Sequence, residues 1–399
     1  MTADLVLVES NGTYGRELAL LAVAGGRRVL LLARDPERYA DLAEHGVTVR
    51  ECDTRRPDLV LAESGSRPAG VLSGYEITLP VAAQVARVLG LPGPDPAAAH
   101  DTLTKPRARA LTNALVGNDV PFWLVDGPAE VDAVPAGAYP VVAKPSASGG
   151  SIGVRVLADA DALREHVRRW LHAPDERGRP LVGPLLVERY VPGREYSVEL
   201  FHGRPLAVVR KSLGGVSGVV ETGHVAVPWA AAPERAALEP FVTALVRRLN
   251  LGWGPAHLEL RLDGDTPRLV EVNLRLAGDR IPELVRHVTG VDLYALTLAA
   301  TLGEDVAPEP GAGPARAAAI RFLTARAAGT VTAAWGEADA AAVPHVVRSG
   351  LMTRVGATVR PAEDSGDRIG FAVAVAGDPD TAVLAAEDAV GKLGVTVDG

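Results

Sequence analysis

The sequence predicts a chain of mixed α/β and α+β character: an N-terminal open parallel-sheet domain, an α+β central region and a small C-terminal α+β domain. Three observations carry this expectation. Over residues 4–52, short apolar runs alternate with helix-like stretches, and strand, helix, strand at that spacing argues for a parallel sheet covered by helices. From Tyr139 onward, strand-like runs alternate apolar and polar residues, the period-two signature of a sheet with two different faces. Pro- and Gly-rich stretches at Leu91–Ala97 and Pro308–Pro314 divide the chain. The expected domains are 1–100, 101–310 with a subdomain at about 115–188, and 311–399.

Taken in order, residues 4–9 (DLVLVE) form a buried strand, SNGTYG a Gly-rich turn and Arg16–Ala24 a helix. Arg28–Ala33 (RVLLLA) is a second strand, followed by a helical stretch, and Thr48–Cys52 is a third. The first turn is a weak dinucleotide signal, because Gly12 and Gly15 do not make G-x-G-x-x-G and no acidic residue follows at the ribose position. A helix starts near Asp101, with Lys105 and Arg109 four apart on one side. Tyr139–Lys144 (YPVVAK) is a strand, and PSASGGSIGV is a loop between two strands. Leu185–Glu188 is a strand that leaves through Tyr190–Gly193 into the alternating run Glu195–Phe201. After Pro314, AAIRFL and GFAVAVAG are strands before a final helix. The chain shows no internal repeat.

Bulk properties exclude several classes. The 399 residues suffice for two or three domains with substantial cores. With 41 Lys plus Arg against 49 Asp plus Glu, the net charge is −8, and no basic run marks a nucleic-acid footprint. A single cysteine, Cys52, excludes an intramolecular disulfide framework and a cysteine-rich metal site, leaving a buried thiol as its simplest role. The N-terminus lacks a basic, signal-length apolar segment, and no run of about 18 apolar residues occurs. These features point to a cytoplasmic protein without a membrane or nucleic-acid partner.

The most informative segment is Pro267–Gly278 (PRLVEVNLRLAG). Alternation projects Glu271, Asn273 and Arg275 together, with Val272, Leu274 and Leu276 packing behind. A carboxylate, an amide oxygen and a guanidinium on one face suit Mg²⁺ bound together with phosphate. Ala256–Leu262 supplies a second carboxylate, Glu259, and Asp263-Gly264-Asp265 forms the turn between the two strands. Alone, the pattern equally fits a solvated strand face. The loop Ser146–Gly153 adds small residues that let backbone fold over phosphate oxygens, with hydroxyls at Ser146, Ser148 and Ser151. It differs from a Walker loop because Lys144 precedes the glycines and no helix follows.

In that order, Lys105, Lys144 before the Gly-rich loop, VERYVPGREYSVEL, Glu259 and EVNLR resemble the ATP-grasp superfamily over nearly the whole chain. The resemblance implies an ATP-grasp domain of two α+β subdomains closing on ATP, and a carbon-nitrogen bond made through an acyl-phosphate. It implies ATP phosphate contacts for Lys105, Lys144 and the lid residues Ser148, Gly149, Gly150 and Ser151. It places adenine at Glu188 and the backbone of Arg189, Tyr190 and Val191, and ribose at Glu195. Glu259, Glu271 and Asn273 become ligands of two Mg²⁺, with Mn²⁺ as a substitute, and Arg275 steadies the acyl or phosphoryl group.

Within the superfamily, the chain is most similar to the L-amino acid ligase group, with a biotin-carboxylase-like plan. Val219–Pro228 (VVETGHVAVP) resembles that group's substrate segment, which makes Glu221 or His224 a proton acceptor, with His257 as an alternative. The resemblance therefore implies carboxylate and amine substrates, amino acids among them, and a homodimer is common in the group. The chain departs from the pattern at Gly278 and Asp279, where dipeptide ligases carry a bulky residue. An acidic side chain there favours a cationic or amide-rich substrate. Two competing expectations are a bicarbonate-activating carboxylase and a non-catalytic nucleotide-binding regulator. The chain has no biotinyl Met-Lys-Met segment, and it retains the full phosphate and metal set.

Overall fold

The computed structural model describes residues 3–398 except 11, 66, 116, 175–180, 182, 310, 312 and 314. Asn11 of the first Gly-rich turn, and Pro310, Ala312 and Pro314 of the Pro/Gly stretch, therefore lie outside the described residues.

Strands β1 (Leu5–Ser10), β2 (Val29–Ala33), β3 (Thr48–Glu51) and β4 (Gly70–Gly74) form a parallel sheet in the order β3-β2-β1-β4. β1, β2 and β4 are buried throughout, as apolar runs under helices must be, whereas β3 is a largely exposed edge. The expected Gly-rich turn is shorter than predicted, because the first helix already begins at Gly12. The fourth strand has no apolar run to reveal it. Its glycines are there for close approach: a Cβ on Gly74 would sit 2.5 Å from Glu9 O, and one on Gly70 2.6 Å from Thr301 O.

The helix expected near Asp101 is two helices. Asp95 caps the first, Pro96–Leu103, by accepting from Ala97 N and Ala98 N. Thr104 is extended, and the second helix, Lys105–Thr112, starts with Pro106 in its first turn, where a missing N–H costs nothing. This break buries Lys105 at a helix start.

Strands β5 (Phe122–Val125), β6 (Val141–Pro145), β7 (Arg155–Leu157) and β8 (Leu185–Arg189) make a separate antiparallel sheet, ordered β5-β8-β6-β7. The Asp159-capped helix Ala160–Trp170 lays Leu163 and Val167 against Val141, Leu185 and Val187.

The largest sheet begins with β9 (Arg194–Phe201), β10 (Arg204–Gly214), β11 (Val220–Pro228), β12 (Pro255–Asp263) and β13 (Thr266–Asn273). The chain continues through β14 (Ala317–Thr324), β15 (Gly329–Trp335), β16 (Val346–Leu351), β17 (Thr358–Val359), β18 (Arg368–Ala376) and β19 (Gly394–Asp398). Eight strands pair in the order β13-β12-β9-β10-β11-β14-β18-β16, so the C-terminal strands continue the central sheet across the β11–β14 ladder. The remaining three form a small sheet, β17-β15-β19. Helix Arg235–Arg248 closes one face with Leu238, Phe241, Val242 and Leu245 at helical spacing, packed with Val198, Leu258 and Leu260. Each such buried side chain contributes about 1.5–3 kcal/mol. Among the described residues, no helix is long and apolar enough to cross a membrane.

Candidate active site

The register of β12 with β13 sets Glu259 directly opposite Glu271 across the hairpin, whose turn carries Gly264 at φ +61°. On the other side of β12, His257 faces Glu199 and Arg261 faces Glu195 on β9. These strands floor a cleft roofed by the 146–153 loop and by the β6 and β8 ends. The site residues singled out from the sequence line it except Ser146, His224, His257, Gly278 and Asp279. Val272, Leu274 and Leu276 pack behind in the core. Pairing stops at Asn273, however, so Arg275 is placed by two N–H groups on Glu76 Oε2 (2.9 and 2.6 Å), not by the ladder.

Charge is balanced pair by pair. Lys144 Nζ lies 2.6 Å and Arg109 Nε 2.5 Å from the Glu188 carboxylate, all three almost fully buried. Burial alone would raise the Glu188 pKa, but Lys144 and then Arg109 hold it down at about 2. Removing either partner of such a buried group costs about 3–5 kcal/mol. Arg109, read from sequence as one face of a helix, is therefore an anchor of the cleft.

Lys105 Nζ sits 3.1 Å from Glu271 and donates to Ser148 O, joining the floor to the roof. Burial works against its charge, and the Glu271 and Glu76 carboxylates more than offset it. Lys211, unread in the sequence, lies 2.7 Å from Glu259 and 3.4 Å from Glu221. Glu259 also meets His257 Nε2 at 2.9 Å, while His257 Nδ1 meets Glu199 at 2.7 Å. Despite desolvation, Lys211 and His257 hold Glu259 well below the usual carboxylate range, and the two carboxylates raise His257 to about 9. At the hinge, Arg261 donates to Glu195 Oε2 and Val191 O, both at 2.9 Å, and stacks 5.0 Å over the Tyr190 ring.

With its amide nitrogen facing them, Asn273 donates to Glu76 Oε1 (2.8 Å) and Glu271 Oε1 (3.1 Å). With the oxygen there instead, three oxygens converge as ligands of a hard cation do. Among the described residues no three His, Cys, Asp or Glu side chains form a metal cage. Mg²⁺ that arrives with phosphate takes only one or two protein carboxylates, a demand that Glu271 and Asn273 meet, with Glu259 opposite Glu271 across the hairpin.

Two expectations change. His224 is fully buried with Nε2 on Asp279 Oδ2 (3.0 Å), its Nδ1 has no partner among the described residues, and it does not line the cleft. Asp279 is not open to a cationic substrate: Arg368 grips both its oxygens at 2.6 and 2.5 Å, and its carboxyl is pulled far down against desolvation. Both Asp279 and Arg280 adopt positive φ (56° and 58°) to make this contact, a strained backbone of the kind found at functional sites. Glu76, Lys211 and Arg368 are the contributors that sequence reading missed.

Residues 137–283 match the ATP-grasp domain family model, and residues 321–398 match L-amino acid ligase C-terminal domain 2. Uncharacterized protein y4rH of Sinorhizobium fredii is 30% identical over 94% of this chain and 79% of its own length. Carnosine synthase 1 of Gallus gallus is 27% identical over 75% of this chain, which spans only 35% of that longer protein. Among solved structures, an L-amino acid ligase from Bacillus licheniformis superposes with a TM-score of 0.81, at 22% identity, over 99% of this chain and 98% of that one. A phosphoribosylglycinamide synthetase from Anaerococcus prevotii superposes at 0.70 with 14% identity, over 99% and 100% of the two chains. Fold, site and relatives converge: the chain belongs to the ATP-grasp superfamily, among its carbon-nitrogen ligases, and ends in an L-amino acid ligase C-terminal domain.

Proposed function

We propose that this protein is an ATP-dependent, ADP-forming ligase that joins a carboxylate to an amine through an acyl-phosphate, with amino acids or amino-acid-like molecules as substrates. The observation that carries this reading is the cross-strand pair Glu259 and Glu271 with Asn273 beside them, lining one cleft together with Lys105 and Lys144. Oxygen ligands and ammonium groups lining one cleft are what a metal-bound triphosphate requires. The relatives named as L-amino acid ligase and carnosine synthase support an amide product.

Glu259, Glu271 and Asn273 would hold two Mg²⁺, or Mn²⁺, whose chemistry is to neutralise charge developing on the phosphates. Lys105, Lys144 and the backbone of Ser148–Ser151 add further compensation and hold the γ-phosphate in line. A substrate carboxylate oxygen bonds to the γ-phosphorus and ADP leaves. The amine nitrogen then attacks the acyl carbon, the carbon-nitrogen bond forms and phosphate departs. Arg275, fixed by Glu76, faces the tetrahedral oxyanion. Glu221, in the cleft, takes the amine proton in preference to the buried His224.

The test is ATP with a matrix of amino acids, followed by phosphate release and product mass, with bicarbonate as the competing substrate. Amino-acid-dependent phosphate release and a product lighter by one water than the two substrates are expected. Glu271→Ala, Arg275→Ala and Lys144→Ala are each expected to lose at least about 10²-fold in amide formation while remaining folded. Full activity in any two of them, or phosphate release driven only by bicarbonate, contradicts the reading.

A further inference from the structure

The lid is held by something other than its own hinge. Residues 361–367, between β17 and β18 in the C-terminal module, form a tight turn that reaches the lid loop. Asp364 caps it by accepting from Gly366 N (2.8 Å), and Asp367 Oδ2 accepts from Glu363 N (2.9 Å) and Asp364 N (3.2 Å). Arg360 clamps the same two carboxylates, at 3.1 Å from Asp364 and 2.7 Å from Asp367. The turn is thus rigid before it meets anything else.

At its tip, Ser365 uses every polar group it has. Its N–H donates to Gly150 O at 3.1 Å, its hydroxyl donates to Glu221 Oε2 at 3.0 Å, and its carbonyl accepts from Arg368 Nε at 2.8 Å. From the lid, Ser151 Oγ reaches the same Glu221 oxygen at 3.4 Å. Arg368 in turn grips Asp279, just past Arg275. Two further contacts flank the tip: Arg169 of the lid subdomain pairs with Glu363 (3.1 Å), and Val216 N donates to Ala362 O (2.9 Å).

We infer that Ser365 is a positioning residue of the ligase site, latching the lid loop at Gly150 through its backbone N–H and orienting the Glu221 carboxylate through its hydroxyl. The proposal rests on the ligase reading above for its chemistry. Ser151 of the lid shares the Glu221 oxygen with Ser365, so lid closure completes the setting of the proton acceptor. The latch protects the acyl-phosphate: with the lid loose, a water oxygen replaces the amine, phosphate leaves, and the free carboxylate returns with ATP spent.

The experiment compares with the natural chain, by two readouts, Ser365→Ala and Ser365→Thr, which test the hydroxyl on Glu221, and Ser365→Pro, which also removes the N–H on Gly150. The first is phosphate released per amide formed, expected near one for the natural chain, at least about 3-fold higher in Ser365→Ala and restored in Ser365→Thr, with KM for ATP within about 2-fold throughout. The second is hydrogen exchange of the 147–152 amides with MgADP bound, expected to be faster in Ser365→Pro, which removes the N–H donated to Gly150 O at a first helical position where proline is tolerated, and needing no amide product. Should Ser365→Ala fold poorly, Arg169→Ala, which opens only the exposed flank, is expected to shift both readouts in the same direction by less. Unchanged exchange in Ser365→Pro together with an unchanged ratio in Ser365→Ala overturns the proposal. Absence of any amide from the natural chain contradicts the ligase reading instead, and the exchange result still decides the latch.

Discussion

Two Gly-rich turns follow two strands in this chain, and they use glycine for opposite physical reasons. In the first, Gly15 lies on the helix after β1, and a Cβ there would meet Gly74 O and Ser10 Oγ at 2.7 Å. That glycine exists so that a helix can press against β4. In the second, Gly149 and Gly150 of the lid loop have open space: the nearest atoms to an added Cβ are Glu76 Oε2 at 3.8 Å and Ser365 Cβ at 4.0 Å. What they supply is uncovered backbone over the cleft, with Gly150 and Ser151 both at positive φ. Composition made the turns look alike, and only contact tells packing from binding.

The difference is broken most strongly at Gly15. Gly15→Ala forces backbone against backbone and is expected to cost about 3 kcal/mol or more, read as a large fall in thermal midpoint. The surviving folded fraction should keep its kcat. A midpoint within about 1 °C of the natural chain would show that the helix relaxes freely and that the packing account of Gly15 is wrong.

The next effect concerns the anchor of the lid loop, Lys144 on Glu188. The Glu188 pKa is depressed in the fold, from 4.5 to about 2. Its contribution is therefore complete above pH 4.5 and lost as pH falls toward 2, worth at most about 3 kcal/mol. Glu188→Gln is expected to flatten stability against pH in that window and to lower stability at pH 7. An unchanged acid profile would contradict the buried triplet of Arg109, Lys144 and Glu188.

Smallest in stability, and sharpest for the comparison, is Gly149→Ala. The methyl has room, so the thermal midpoint is expected to stay within about 1 °C, while kcat/KM for ATP falls about 10-fold because the loop backbone approaches phosphate less closely. A mirror outcome, with stability lost and kinetics unchanged, would make the lid loop a packing turn like the first.

What sequence could reveal follows the same division. Alternation along β12 and β13 exposed Glu259, Glu271 and Asn273, because a period of two is a local property and the register then did the rest. β4 stayed hidden because its glycines answer to Thr301 and Glu9, far away in sequence. Glu76 and Arg368 were unreadable for the same reason: their partners, Arg275 and Asp279, come from segments with no shared periodicity. Lys211 did leave a signal, a lysine inside the strand run PLAVVRKSL, where burial demands carboxylates nearby. Asp279 shows the limit of residue type alone, since its charge is consumed by Arg368 before any substrate arrives.

The central claim is amide formation through an acyl-phosphate, and isotope transfer tests it most directly. With ATP and an amino-acid mixture labelled with ¹⁸O in the carboxylates, the account predicts one ¹⁸O atom in each phosphate released and an amide product that retains the other. Unlabelled phosphate alongside amide product would contradict it, because the carboxylate oxygen would then never have been bonded to phosphorus.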